Sequence, residues 1–452
     1  MQQNAQSRGD GTPARAGVFD MLSLGAALGA ELLKGKSADP AAAHRRWADR
    51  VMTRDGGADI DVPILPIEMV GNRDHSNALL GSTPDRDELQ PGHTKTQAMS
   101  YLAPGALTIA RGEAWRRLRP FNEEVLAAGH THPFAPTFLY HVRAAFAAPV
   151  HNESDVRAAM GRAMVKIVLG DVNPALDPGR DIRKLFALVE SPIKRKLLGV
   201  WNRRRRDHLY DLIARKWEYL AETSEGAREE TLLSLAAHAG PDVDRTTLLQ
   251  QVPHWMFTFT GSGTDLLTRT LCLISSRDEA LDRVLEEIWT VCHPEPSDGA
   301  SPKRRSFTSL RMTPGAIERM KYLNACFLEA GRLFPPVTTT FHERRATSGS
   351  RAREYAHYFP FLQRDDSLGP TVHEFRPERW LEPTLDAAAS ASNLFLRGPR
   401  ACPGMDLILF VCKTAIARQL AELGVSARQE RLTRDPLPTS FPKMSERFTT
   451  SR

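Results

Sequence analysis

The stretch FLRGPRACPGMDLILF, Phe395 to Phe410, constrains the fold of this chain more than any other. It sets Cys402 in a small basic loop, with Gly398 and Gly404 on either side, directly ahead of an apolar run that continues at helical spacing. A thiolate just before a helix N-terminus is favoured by the helix dipole and by the amides of the first turn. The two glycines permit tight turning and close approach of the backbone to something flat and bulky. Arg400, two residues from the sulfur, offers a guanidinium to a carboxylate on that same object, and Phe395 offers a shield against water. A lone cysteine ahead of an apolar helix is ordinarily a small buried hydrophobe; the combination asks for a ligand.

The rest of the chain is large enough to hold such a loop rigidly. At 452 residues and 41% hydrophobic, it can bury one large core or two ordinary ones. Cys272, Cys292, Cys326, Cys402 and Cys412 are odd in number and widely spaced, without C-x-x-C or Cys/His clusters, which points to a reducing compartment and no zinc site. The apolar window MLSLGAALGA is short of the roughly twenty residues a membrane-spanning helix needs. With no clear signal peptide, a cytoplasmic protein without an integral membrane segment is expected. A net charge of +6 admits nucleic acid, an acidic membrane or an acidic partner. The densest basic run, KRKLLGVWNRRRRDHLYDLIARKW, carries apolar residues at helical spacing and reads as the solvated face of an amphipathic helix. No nucleic-acid motif accompanies it, and a monomer with no nucleic-acid partner is expected.

Residues 1–16 are polar and bear Gly and Pro, the composition of a disordered lead-in. VPILPIEMV, from Val62, reads as a short buried strand bounded by prolines. After Gly112 the pattern turns helical and stays so through ALDRVLEEIWTVC and AIERMKYLNACFLEAGRLF, with HPEPSDGASPKRRS a polar loop between them. Past Pro335 the texture is Thr, Pro, Gly and aromatic until Met405. Without repeats or a Gly/Ser linker, residues 17–452 form one mainly α domain with a small β-rich region.

FLRGPRACPG resembles the cysteine-ligand loop of the cytochrome P450 superfamily, F-x-x-G-x-R-x-C-x-G. The resemblance implies a triangular-prism helical fold holding haem b (iron protoporphyrin IX) between a distal helix and this loop. Cys402 would be the proximal thiolate, pushing electron density toward O–O cleavage. Three further stretches follow the family in order. EAGR, Glu329 to Arg332, matches E-x-x-R, and FRPERW supplies Arg379 as the third member of a structural Glu-Arg-Arg network. GEAWRRLRP puts Trp115 and Arg119 four apart, like W-x-x-x-R, as donors to a haem propionate, and His342 is a candidate donor to the other.

MFTFTGSGTDLLTRT resembles the distal A/G-G-x-D/E-T stretch in a register that fits Gly261 and Thr264. Thr264 would then order the iron-bound oxygen and its protons. Gly263 stands where the family carries an acid; Asp265 is about 100° further round the helix, so protons would come through water admitted at Gly263 or from an alternative acid. Glycines 261 and 263 cost roughly 1 kcal/mol each in a helix, a weakness that suits a groove beside bound oxygen. The segment RRATSGSRAREYAHYFPF is short for the family and predicts a trimmed sheet.

The implied activity is oxidation of a moderately apolar small metabolite, with hydroxylation first and a place in secondary metabolism. Family position draws the pocket from Phe257, Thr258, Thr260, Gly261, Thr338 and Thr339. Electrons from NAD(P)H would arrive through a ferredoxin and its reductase, or a flavodoxin, since no flavin or iron–sulfur domain is expected in the chain. Arg397, Lys413 and Arg418 are candidates to receive that acidic partner. Rival readings are peroxide use, coupling or rearrangement on the same scaffold, or a noncatalytic haem-binding sensor.

Overall fold

The structure, a computed structural model of the chain, describes residues 13–34, 39–55, 57, 59–62, 67–81, 89–173, 177–190, 192–239, 244–293, 310–344, 353–381, 392–444 and 446–450. The lead-in at 1–12, most of the polar loop at 294–309 and the segment at 345–352 lie outside the described residues. Contacts divide the chain into two units, each assembled from separated segments: one from Met1–Lys95, Leu328–Cys402 and Gln429–Glu446, the other from Thr96–Phe327, Pro403–Arg428 and Arg447–Arg452.

The first unit carries a six-stranded sheet in the order β1-β2-β3-β6-β5-β4. Its strands are β1 (Ala14–Arg15), β2 (Ile60–Val62), β3 (Ile67–Val70), β4 (Leu89–Pro91), β5 (Thr339–Arg344) and β6 (Arg353–Tyr358). The single strand expected at VPILPIEMV is two, because Pro63 and Pro66 have no N–H to give a ladder; β2 and β3 pair antiparallel on either side. The trimmed sheet is not found either. β5 and β6 pair over six residues, from Thr339 opposite Tyr358 to Arg344 opposite Arg353, and are the longest described strands. Their threonines and aromatic residues suit a pleated, half-buried surface. Trp47, Val51, Ile60, Val70, Leu80 and Phe359 make the core that this sheet and the helix Pro40–Asp55 share.

In the second unit, helices Glu153–Leu169, Pro178–Glu190 and Met405–Ile416 pack around the helical run 251–276, and Ala135–Ala145 packs on Glu153–Leu169 and Met405–Ile416. Asn152 caps Glu153–Leu169 by accepting the amide of Asp155 at 3.0 Å. Met405–Ile416 is apolar on nearly every side, with Leu407, Phe410, Val411 and Ile416 buried. A two-stranded ribbon of β7 (Val425–Ser426) and β8 (Thr449–Thr450) completes this unit. The basic run lies in helix Pro192–Glu222, and its expected amphipathicity holds only from Leu209 onward, where Leu209, Ile213, Trp217 and Leu220 are buried. Earlier, Leu197, Val200 and Trp201 face outward, Trp201 with 83% of its surface exposed.

Candidate active site

The Cys402 loop is shaped by its backbone. The amide of Cys402 donates to the carbonyl of Phe395 at 2.7 Å, closing the loop, and that of Ala401 donates to Gly398 at 3.0 Å. Gly398 has φ +65°, and a Cβ there would stand 2.6 Å from the carbonyl oxygen of Leu80, so glycine is required twice over. Arg397 ties the loop to Asn393 Oδ1 at 2.6 Å. Gly404 differs: its φ is −97° and a Cβ would make only ordinary contact with Leu126 at 3.7 Å, so the protein itself does not demand a glycine there. Cys402 is exposed, whereas the other four cysteines are buried. Burial pushes the thiols of Cys292 and Cys412 up, Cys292 to about 11.

Behind this loop the expected Glu-Arg-Arg network is closed. Glu329 and Arg332 are fully buried on one helix, and the guanidinium grips the carboxylate with two bonds of 2.8 Å. Arg379 adds Nε to Glu329 Oε1 at 3.0 Å, and Trp380 its indole N–H to Oε2 at 2.9 Å. Arg332 also donates to the carbonyls of Gln363 and Val372, at 3.1 and 2.9 Å, fixing the chain that leads toward the cysteine. Burial pushes the Glu329 carboxyl up; Arg332 and Arg379 outweigh it and hold it below the ordinary carboxylate range. Sequence reasoning missed a further buried arginine. Arg364 donates to the carbonyls of Leu437 and Pro438 and to His373, pinning the late segment, and burial beside Arg332 lowers it to about 9.

Strand β4 gathers a second set of cations. Its Leu89 carbonyl accepts Nε of Arg400 at 3.1 Å, its Pro91 is opposite His342 on β5, and the next helix along the chain, His93–Ser100, carries Lys95. Gly92 lacks a side chain because Glu354 occupies that place, receiving the amide of Thr94 at 2.9 Å. Burial, then Arg400, lowers the Lys95 ammonium to about 8; burial, then Lys95, His357 and Arg400, pushes His342 well below its usual value. His342 is buried and its Nδ1 has no hydrogen-bond partner among the described residues. Desolvated cations with an orphaned ring nitrogen beside them fit an anionic group such as a haem propionate. Lys95 was not anticipated from the sequence.

Elsewhere in the first unit, Asp59, Glu68 and His75 bring ligand atoms within 4.8 Å of one another. Asp59 is taken by the amides of Gly71 and Asn72 and by His75, and Glu68 by Arg353, so the cluster is a closed polar network.

In the second unit Trp115 and Arg119 share the half-buried face of helix Gly112–Val125, and Arg119 Nε donates to Glu123 at 2.7 Å. That helix is fixed by Asn122, which accepts the indole N–H of Trp255 at 2.8 Å. The helix expected on the oxygen side runs as Gln251–Thr258, a π-helical turn at Phe259–Gly263, and Thr264–Ser276, so the expected local weakness at the glycines is a widened turn. Thr264 is fully buried, and its hydroxyl reaches the carbonyl of Phe259 only at 3.5 Å.

Two expectations need correction. Water is not admitted by a vacancy at Gly263, because a Cβ there would meet Ile408 Cδ1 at 2.7 Å. Asp265 is ion-paired: Arg157 and Arg269 donate to its two oxygens, at 2.9 and 3.3 Å. The family pattern also fits two residues on, with Gly263 as its glycine, Asp265 as its acid and Leu266 in the threonine position. Nor is Lys413 available to a docking partner, because it is buried. Arg418 is paired with Glu422, and Arg397 is engaged by the loop itself. Of the pocket candidates, Phe257 and Thr258 are half-buried, Thr260 and Gly261 buried, Thr339 half-buried and Thr338 exposed.

A family model described as Cytochrome P450 matches residues 145–449. The chain is 27% identical over 220 residues to "Cytochrome P450 monooxygenase fscF" of Fusarium equiseti, covering 43% of this chain and 38% of that protein. It is 25% identical over 229 residues to "Cytochrome P450 monooxygenase apf7" of Gibberella fujikuroi, covering 46% and 40%. These matches thus span about two-fifths of the relatives' lengths. A solved structure described as "Retinoic acid bound cyanobacterial CYP120A1" superposes with a TM-score of 0.65 at 17% identity, over 89% of this chain and 93% of that one, a likeness of fold. The family model takes in most of the helical unit and the whole cysteine loop, and on that match this chain belongs to the cytochrome P450 family.

Proposed function

We propose that the chain is a haem-thiolate monooxygenase that oxidises, first of all hydroxylates, a moderately apolar small metabolite. The observation that carries this reading is that Cys402 alone among the five cysteines is exposed, in a loop whose backbone leaves it little freedom. Cys402 would hold the iron, Gly404 would let the macrocycle approach, Arg400, Lys95 and His342 would meet propionate charge, and Trp115 and Arg119 would add donors. When bound, haem b supplies activation of dioxygen: with two electrons and two protons, one oxygen atom enters the substrate and the other leaves as water.

The chain's own residues bind, orient and exclude water. Phe395 would shield the thiolate, and Thr264 offers a buried hydroxyl only weakly engaged by its own helix. The hydroxyls of Thr258 and Thr260 are spent on the helix carbonyls of Trp255 and Met256, at 3.0 and 2.8 Å, which lowers the polarity they present and supports an apolar substrate. Electrons from NAD(P)H would come through a ferredoxin and its reductase, or a flavodoxin, to a cytoplasmic monomer. A second reading, peroxide use, coupling or rearrangement, is favoured by Leu266 if the oxygen-side pattern is set two residues later.

The test is the reduced carbon monoxide difference spectrum of the purified protein beside Cys402→Ala, followed by turnover with surrogate ferredoxin and reductase or with peroxide. A Soret band at the thiolate position, lost in the variant, is expected, with product dependent on NAD(P)H. A parent without that band, or a variant that keeps it, overturns the assignment; product from peroxide alone selects the second reading.

A further inference from the structure

Resting on the haem-thiolate reading, we infer that Arg157 is a positioning residue for Thr264, acting through the carbonyl of Thr260. In an α-helix the amide of Thr264 would donate to Thr260; here it donates to Gly261 instead. The carbonyl of Thr260, a fully buried residue, thereby loses the amide that an α-helix would give it and takes a donor from elsewhere. Arg157, on helix Glu153–Leu169, provides it, NH1 donating to Thr260 O at 3.1 Å. NH2 of the same guanidinium donates to Asp265 Oδ1 at 2.9 Å and to Glu153 Oε1 at 2.7 Å.

One planar cation therefore ties the two sides of the π turn together, Thr260 before it and Asp265 beyond it. This also gives Asp265 its role: it orients the arginine, with Arg269 adding a donor to its other oxygen. Without the tie, Thr260 can take back the amide of Thr264 and the turn can return to α-helical winding. Removing one residue's worth of winding rotates the helix beyond the turn by about 100° relative to the helix before it, carrying the Thr264 hydroxyl along. Lysine is no substitute, since a single ammonium lacks the rigid fork that serves a carbonyl and two carboxylates at once.

The test uses haem-loaded Arg157→Met, Arg157→Lys and Asp265→Asn. Amide hydrogen exchange across residues 259–266 should rise about tenfold in Arg157→Met, the weight of one lost hydrogen bond to a charged group. The Soret band of the reduced carbon monoxide complex should stay at the thiolate position. During NAD(P)H oxidation with surrogate partners the share released as peroxide should rise, and the resting-state electron paramagnetic resonance g-values should shift, readouts that a merely structural role would leave unmoved. Arg157→Lys should not restore either, and Asp265→Asn should move both in the same direction by less. If Arg157→Met does not fold, the other two variants carry the test. Parent-like exchange and peroxide share in the variants overturn the inference. A parent without the thiolate band instead sinks the functional reading, and exchange still decides the tie.

Discussion

Two clusters of charge in the sheet-bearing unit are opposites. Around Glu329 five donors, two from Arg332 and one each from Arg379, Trp380 and the amide of Arg376, converge on one buried carboxylate. Around Lys95 and His342 the charges of the described residues that act on them are all positive, Arg400 included, and a histidine nitrogen has no partner among the described residues. Buried charge persists when it is paired; desolvated like charges persist only where something else repays their cost. The closed cluster therefore serves the fold, and the open one suits the anion-binding role proposed for it. The glycines divide the same way: Gly398 is demanded by its own protein, Gly404 is not.

The sharpest way to break this comparison is Glu329→Gln. The amide keeps the shape but leaves Arg332, with 0% of its side chain exposed, and Arg379 as buried cations without a counter-charge. A loss of about 3–5 kcal/mol in urea unfolding is expected, the cost of breaking a buried pair from one side. A loss below about 1 kcal/mol, the range of an exposed pair, would mean that the network is not what holds the cysteine segment.

Substitutions in the open cluster should do the reverse. Arg400→Met and Lys95→Met should leave the apoprotein as stable as the parent or more so, yet each should speed haem transfer to an acceptor globin about tenfold, as expected for one lost charge-assisted hydrogen bond. Unfolding midpoints of the apoproteins together with transfer rates separate the two effects. Destabilised apoproteins with unchanged transfer rates would place Arg400 and Lys95 with the closed cluster.

How much of these clusters is legible in the sequence depends on distance along the chain. Glu329 and Arg332 are one helical turn apart, and Arg400 and Cys402 share a loop, so local spacing carries them. Lys95 meets Arg400 and His342 only because β4 pairs with β5 and takes the Arg400 side chain on its Leu89 carbonyl, long-range contacts that no local pattern encodes. The same holds for Arg364, whose partners Leu437 and Pro438 belong to a late irregular segment. Gly263 shows the opposite failure: the residue was legible, but the side chain that fills its missing Cβ, Ile408, comes from another helix. Helical spacing places the apolar residues of 194–217 on one face, and the chain buries only those from Leu209 onward.

The smallest effect is also the one that distinguishes an empty anion site from a filled one. Lysine ordinarily holds its proton to 10.5; in the folded apoprotein burial and then Arg400 bring Lys95 to about 8. Between those values the unfolded chain binds more protons than the native one, so the native apoprotein gains stability as pH rises through that window, while below about 8 the penalty of the buried ammonium is present in full. Lys95→Met should remove this rise: the variant should exceed the parent most below pH 8, with the gap closing above it in urea titrations. With a propionate beside it the ammonium is favoured, its folded value moves upward, and the contribution of Lys95 becomes one that is lost, not gained, as the solution turns alkaline. The parent-minus-variant difference should therefore slope in opposite directions with and without haem. Equal slopes would mean that no anion reaches Lys95, and the open cluster would need another explanation.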